Sequence, residues 1–471
     1  MNNLKKNDEL VANIIDYGAN GEGIAKIDGF TIFVSGALKN EKCKIKILKV
    51  NKNFAFAKVI EVIEKSDKRV KPDCNTYPRC GGCNLRHISY DETLNIKQEK
   101  VQNLINKFIN HKIYKDEKQN QENNNENISN GEEKEKSNFI KVNETIGMND
   151  PFYYRNKAIF PVSEDKKPGI FASRSHVIIP FKECKIQTKL SQQIAKFICE
   201  NWNGTIYNEK TGKETLRNIM IREAFKTGEV MVVLVENKYD KDGIDINPIL
   251  SKFPMIKTIV VNENTKNTNV VLADKNIVLY GEGYITDILG DKKFKISPNS
   301  FYQVNPVQTE KIYELAIKEA KLNKEDILCD LYSGIGTIGI FSSDSVKKVY
   351  GIEIVKQAVE DARENAKINN INNIEFIEGD VESAFQGLLE KNIRPNVVIV
   401  DPPRKGLDNK TIENLNKLKL EKVIYVSCNP ATLARDLQML SSNYNIKSIT
   451  PIDNFPYTSH VECVTVLNKK K

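Results

Sequence analysis

The sequence predicts a multidomain α/β protein, and three observations predict it. Residues 1–63 carry short strand-like runs broken by glycine turns. Residues 64–290 are mainly β-type again. From about 291 to 471, strand-like apolar runs alternate with helix-like stretches, which is the pattern of a mainly parallel sheet covered by helices on both faces. A chain of 471 residues is also too long for one ordinary core, so two or three units are expected.

The first unit is LVANIIDYG, GEGIAKIDGFTIFVSG, EKCKIKILKV and FAFAKVIEV. Closing such strands into a small barrel removes exposed edges, as in the OB-fold. With its GANGEGIAKIDG turn, the arrangement resembles the TRAM domain, a small RNA-binding module. Lys26, Lys44, Lys46 and Lys58 offer it a phosphate-facing surface, although a single lysine on a strand edge more often only solvates it.

DETLNIKQEKVQNLINKF reads as a helix. Residues 111–138, almost all Lys, Glu, Asn and Gln, hold little to bury and read as a disordered insertion. KAIFPVS, GIFAS, HVIIPF, NIMIREA, EVMVVLVEN, TIVVNE and NIVLYGE then supply the strands of the central unit. Tyr153, Tyr154, Arg155 and Lys157, in PFYYRNKAIF, are candidate RNA contacts by stacking and phosphate pairing.

In the last unit VQTEKIYELAIKEAKL is an amphipathic helix, and DILCDLY, KVYGIEI, IEFIEGD, NVVIVDPP, KVIYVSCN, IKSITPI and VECVTVL are strands. DLYSGIGTIG follows the first of these, so its glycines, Gly334 foremost, sit where backbone can approach a ligand. Gly334, Gly336 and Gly339 match G-x-G-x-x-G, and a dinucleotide remains open. Glu353 ends the next strand, where a carboxylate accepts ribose hydroxyls. Asp380 ends the third, near an adenine, and Asp401 the fourth. Acids ending successive parallel strands suggest one nucleoside-shaped ligand. The set resembles class I S-adenosylmethionine methyltransferases. Arg404 follows DPP where amino-group methyltransferases carry an aromatic residue, which disfavours that chemistry.

FYQVNP (301–306), SCNP (427–430) and TSHVECV (458–464) together resemble the RNA uracil-5 methyltransferases. The likeness runs nearly end to end and is closest to the type that makes 5-methyluridine in 23S rRNA, with a TRAM domain and an iron–sulfur cluster. It implies that Gln303, Tyr332, Glu353 and Asp401 bind S-adenosylmethionine, that Cys428 is the nucleophile and that Glu462 is the base. Uracil C5 is a poor nucleophile until a thiolate adds to C6, and a base must then take the C5 proton. Asn429 and Pro430 suit the start of a helix, and a helix N-terminus is expected to lower the pKa of Cys428. Burial among Val461, Val464 and Val466 is expected to raise that of Glu462.

Cys74, Cys80 and Cys83 form a C-x5-C-x2-C group, for which zinc and iron–sulfur are both chemically reasonable. The resemblance adds Cys184 as fourth ligand and a 4Fe-4S cluster, structural or positioning in role. Cys43, Cys199, Cys329 and Cys463 sit in apolar runs and are expected in cores.

The formal net charge of +8, from 70 basic and 62 acidic residues, permits a polyanionic partner without requiring one. No run of about 20 apolar residues and no signal-peptide core is visible, so a cytoplasmic protein is expected, acting as a monomer. Three alternatives stay open: a tRNA T-loop uracil-5 methyltransferase, an RNA cytosine-5 methyltransferase and a non-catalytic iron–sulfur RNA-binding factor. The second needs a cysteine directly after a proline in the fourth-strand motif, and DPPRKG has none.

Overall fold

The computed structural model describes residues 4–110, 139–418 and 420–470; the expected disordered insertion, 111–138, lies outside the described residues. Strands β1 (Glu9–Asn13), β2 (Asp16–Tyr17), β3 (Gly23–Ile27), β4 (Phe30–Ser35), β5 (Lys42–Val50) and β6 (Phe54–Glu64) pair in the order β1-β5-β6-β4-β3-β2. Between β1 and β2, Ile14 N donates to Glu41 O and Ile15 N to Ile24 O. One bent stretch thus pairs at both edges and closes the barrel. Small inward residues such as Ala25, Ala55 and Ala57, with Ile32 and Ile45, fill it. Arg69 forks onto the buried carboxylate of Glu41 (Nε–Oε1 2.5 Å, Nη2–Oε2 2.7 Å) and ties the barrel to the chain that follows.

The central sheet takes β7 (Lys157–Pro161), β10 (Leu216–Glu223), β11 (Val230–Glu236), β12 (Ile256–Glu263) and β13 (Asn276–Tyr280) in the order β13-β12-β11-β10-β7. A small hairpin, β8 (Gly169–Phe171) with β9 (Ile178–Pro180), flanks it. VMVVLVE of β11 is buried throughout because both faces are covered. Val232 and Leu234 pack with Ile194 and Ile198 of the helix Lys189–Glu200. Met231 and Val233 share a cluster with Ile312 and Tyr313 of the helix Pro306–Ala320.

A second hairpin, β14 (Ile285–Leu289) with β15 (Lys292–Ile296), leads into the last sheet, built from β16 (Ile327–Leu331), β17 (Lys348–Glu353), β18 (Ile374–Glu378), β19 (Val397–Val400), β20 (Lys422–Ser427), β21 (Tyr444–Ile452) and β22 (Glu462–Lys469). Its order is β18-β17-β16-β19-β20-β22-β21. β16–β20 pair in parallel, and β22 runs antiparallel to both neighbours. The order reverses between β16 and β19, so a ligand crevice belongs at the carboxyl ends there.

The sequence places 64–290 in one central unit; the structure divides that stretch. Val101 and Ile105, of the helix Tyr90–Ile105, pack with Leu433 and Leu437 of the helix Pro430–Leu440. Residues 143–146 run along β21, with Asn143 N to Ile449 O and Ile146 N to Pro451 O both 2.9 Å. β21 ends the sheet, and its free backbone groups need partners. β14–β15 likewise leans on the last unit, as Lys295 N donates to Asn365 Oδ1 (2.8 Å). Cys43, Cys199, Cys329 and Cys463 are all buried, as expected. Among the described residues no helix is long and apolar enough to cross a membrane.

Candidate active site

Ser427 pairs with Cys463 in the antiparallel β20–β22 ladder. Cys428 directly follows β20 and Glu462 opens β22 next to Cys463, so the paired strand ends bring thiol and carboxyl near each other, and the Glu462 charge acts on the thiol. Glu462 is buried, and burial followed by the charge of Asp401 pushes its carboxyl up to about 8, with Asn454 and Arg404 offsetting part. The expected rise is present.

Cys428 behaves differently from the sequence expectation. Asn429 caps the helix Pro430–Leu440, and its side chain takes the Ala431 N–H. Half-burial, then Glu462 and Asp401, push the thiol up to about 11, against a lowering by Arg404. Burial, with two nearby acids, thus raises the thiol where a helix start was expected to lower it. Arg404 is held by its backbone, whose carbonyl accepts from Asn429 Nδ2 (2.9 Å). A cavity of about 490 Å³ opens over the thiol, walled by Cys428, Arg404 and His460 on one side and by Lys100 and the barrel residues Tyr17 and Gly18 on the other.

At the carboxyl edge, Glu353 Oε2 accepts from Gly334 N (3.0 Å) and its Oε1 from Val355 N (2.8 Å). Gly334 has φ +54, and a Cβ there would meet nothing within 4 Å, so the turn is open toward a ligand. Asp330, which sequence reasoning missed although it ends the first strand of the same series, accepts from Gly339 N (3.0 Å) and is pushed up to about 8 by burial, then by Asp401 and Glu353. Burial pushes Asp401 up to about 7. Tyr332 (φ +67) is half-buried beside Asp408 and Thr411. Gln303 lies in the loop before the helix Pro306–Ala320, its carbonyl held by Asn156 Nδ2 (3.0 Å). Ile354 and Phe301, both also missed, are each 68% exposed; such apolar faces on a site rim suit a flat ring. Asp380 is committed differently, as the cap of the helix Val381–Glu390 through Ser383 N (3.0 Å).

Burial raises Asp330, Asp401 and Glu462, and repulsion by Asp401 adds to the rise at Asp330 and Glu462.

The loop from β21 to β22 carries Asn454 and His460, and a buried network holds it. Lys97 Nζ pairs with Asp453 Oδ1 and donates to Phe455 O (3.1 Å), and Tyr90 OH donates to Asp453 Oδ2 (2.8 Å). Lys97 and Asp453 side chains are both fully buried. Lys97→Met strands a carboxylate and is expected to cost about 3–5 kcal/mol in urea unfolding. The pair Lys97→Met, Asp453→Leu should recover part of it; an equal or larger loss would show that the ion pair is not what stabilises the loop.

Cys74, Cys80, Cys83 and Cys184 line a second cavity, of about 240 Å³, with Arg86 and Arg155. Burial pushes the Cys83 thiol up to about 12 and raises Cys80 and Cys184. Among the described residues, no three His, Cys, Asp or Glu groups stand close enough to hold a single metal ion. Arg86 Nε and Nη2 and Arg155 Nε are buried without hydrogen-bond partners there. The expected RNA contacts are not brought to the Cys428 cavity: Arg155 faces the cysteines, Tyr154 is core, and burial pulls Lys157 down to about 7.

Residues 261–470 match the family model described as tRNA (uracil-5-)-methyltransferase, and residues 6–60 match the TRAM domain. An uncharacterised RNA methyltransferase of Clostridium acetobutylicum is 44% identical, over 99% of this chain and 98% of its own. One from Staphylococcus aureus is 39% identical over the full length of both. Among solved structures, the Pyrococcus abyssi tRNA (uracil-54, C5)-methyltransferase in complex with S-adenosyl-L-homocysteine superposes with a TM-score of 0.73 at 26% identity, over 97% of this chain and 100% of that one. Sheet order, glycine turn and acid-rich crevice thus define a class I, S-adenosylmethionine-dependent RNA methyltransferase. More narrowly, the chain belongs to the RNA uracil-5 methyltransferase family.

Proposed function

We propose that the protein methylates C5 of a uridine in 23S rRNA through a covalent Cys428–C6 adduct, giving 5-methyluridine. The observation that supports the covalent route is Cys428 lining a cavity, with the buried carboxyl of Glu462 close enough to be the first charge acting on its thiol. Gln303, Tyr332, Gly334, Glu353 and Asp401 surround the crevice for S-adenosylmethionine, which supplies the methyl group. Asp380 stands at its rim as a helix cap. Cys428 loses its proton and its sulfur bonds to C6, making C5 carbanion-like. After methylation Glu462 takes the C5 proton, the C5–H electrons re-form the double bond, and the S–C6 bond breaks to return the thiolate. Arg404 beside the cavity favours the thiolate. The target base must leave its stack to enter.

The family resemblance is what supports a cluster at the four-cysteine cavity. Four thiols line one cavity together with Arg86 and Arg155, and cationic side chains beside thiols suit an anionic group. We assign it a 4Fe-4S cluster held by Cys74, Cys80, Cys83 and Cys184, structural in role. Protein purified without oxygen should contain iron and acid-labile sulfide, and Cys184→Ser should lose both.

The resemblance to enzymes with both a TRAM barrel and a cysteine cluster supports 23S rRNA. The full-length likeness to a tRNA (uracil-54, C5)-methyltransferase favours tRNA as the second reading. Mass mapping of 5-methyluridine in cells with and without the gene separates them. Loss from 23S rRNA is expected; loss from the tRNA T-loop alone would reverse the choice.

A further inference from the structure

We propose that Asn84 is a positioning residue for the reaction: its side chain ties two walls of the Cys428 cavity together and so sets where the chain leading into Glu462 stands. This rests on the reading of Cys428 and Glu462 as the reacting pair and adds what holds that pair in place.

One wall of the cavity is the stretch Ser459, His460 and Val461, which runs straight into Glu462. Another is the barrel turn Gly18, Ala19 and Asn20. Asn84 stands between the two without lining the cavity itself. Its Oδ1 accepts from Ser459 N (2.9 Å), and its Nδ2 donates to Ser459 Oγ (3.1 Å) and to Asn20 O (2.5 Å). An amide carries an acceptor and two donors on one short side chain, and here all are used. An aspartate keeps the acceptor and loses the donors; a leucine loses both.

The side chain can hold its neighbours because its own backbone is fixed. Asn84 N donates to Tyr457 O (3.2 Å), and Tyr77 OH donates to Asn84 O (3.2 Å). Leu85 N donates to the same Tyr457 O (3.0 Å). Tyr457 has φ +62, a conformation that a non-glycine residue keeps only where its surroundings over-determine it. The Arg86 guanidinium lies over its ring, 4.2 Å from the centroid. On the barrel side, Gly21 packs so closely on Leu85 that an added Cβ would clash with its side chain. Residues 84–86 therefore grip both the barrel turn and the 457–459 stretch. Cys83, just before them, lines the four-cysteine cavity, so one loop frames both cavities. A misplacement of about 1 Å at reacting groups costs roughly a hundredfold in rate, which is what this grip prevents.

The first test is hydrogen–deuterium exchange of the full-length protein without RNA or S-adenosylmethionine. Ser459 N–H loses its acceptor in Asn84→Leu and keeps it in Asn84→Asp. The peptide covering 457–461 should exchange roughly two- to tenfold faster in the leucine variant and near the wild-type rate in the aspartate variant. Turnover is the second test, with RNA extracted from cells lacking the gene. Asn84→Leu should lower kcat roughly ten- to a hundredfold and leave KM for S-adenosylmethionine within about twofold of wild type. A side chain that only stabilised the fold would speed exchange throughout the protein. Unchanged exchange in Asn84→Leu, equal acceleration in Asn84→Asp, acceleration spread over the whole chain, or unchanged kcat would overturn the proposal. Exchange is read without methyl transfer, so a failure of the proposed reaction leaves that measurement intact, and the reverse.

Discussion

Cys428→Ala is expected to reduce RNA methylation by at least roughly 10⁴-fold, with S-adenosylmethionine affinity within about twofold of wild type. The thiol forms the bond to C6, and no neighbouring group replaces it: Glu462 and Asp401 are carboxyls, and Cys463 is buried in the strand, its thiol pushed well up by burial and by Glu462. The groups proposed for S-adenosylmethionine lie at other strand ends, where Glu353 accepts from Gly334 and Asp330 from Gly339, so cofactor binding should survive. Activity assays and calorimetric titration check the two halves. RNA carrying 5-fluorouridine should trap wild-type protein and not the variant. Methylation above about one per cent of wild type, or a trapped adduct, would count against Cys428 as nucleophile.

Glu462→Gln is expected to slow turnover by roughly 10²–10⁴-fold while accumulating a methylated covalent adduct, seen as RNA retarded on a denaturing gel. Addition to C6 needs the thiolate, and only release needs the base, so the block falls after the bond forms. The pH dependence follows from the same two groups. Each acts after losing a proton, so kcat of wild type should rise with pH through an inflection near 8 from Glu462, while kcat/KM, which stops at methyl transfer, should climb toward about 11 with Cys428. The variant should lose the inflection near 8. Glu462 is also the first charge that raises the thiol, so at pH 9 iodoacetamide should alkylate Cys428 faster in Glu462→Gln than in wild type. Equal alkylation rates, or turnover without adduct, would separate Glu462 from both roles.

Much of the candidate site was legible because its signals are local. Strand-ending acids, the turn at Gly334, the cap at Asn429 and Pro430, and the trio Cys74, Cys80 and Cys83 each occupy a short stretch, and periodicity places such groups on strands, turns and helices. The helical spacing of Leu433 and Leu437 and the continuous apolar run of β11 also follow from nearest neighbours. The wrong expectations have a common origin. Arg155, Lys157 and Tyr154 look like an exposed basic-aromatic run, yet their surroundings come from distant chain: the packed fold turns Arg155 toward the cysteine cavity and Tyr154 into the core, and leaves Lys157 half-buried near Arg222.

By itself, then, the sequence determined the succession of elements, the chemistry available at the ends of strands and the family resemblance those motifs carry. Tertiary structure decided what those groups face. It brought Tyr17 and Gly18 over Cys428, joined Lys97 to Asp453, and set the helix Tyr90–Ile105 against the last unit rather than the central one. It also reversed the expected shift of Cys428, because a pKa depends on burial and on charges a few ångströms away. For a thiol on one strand and an acid on the next, only the pairing register says that they meet.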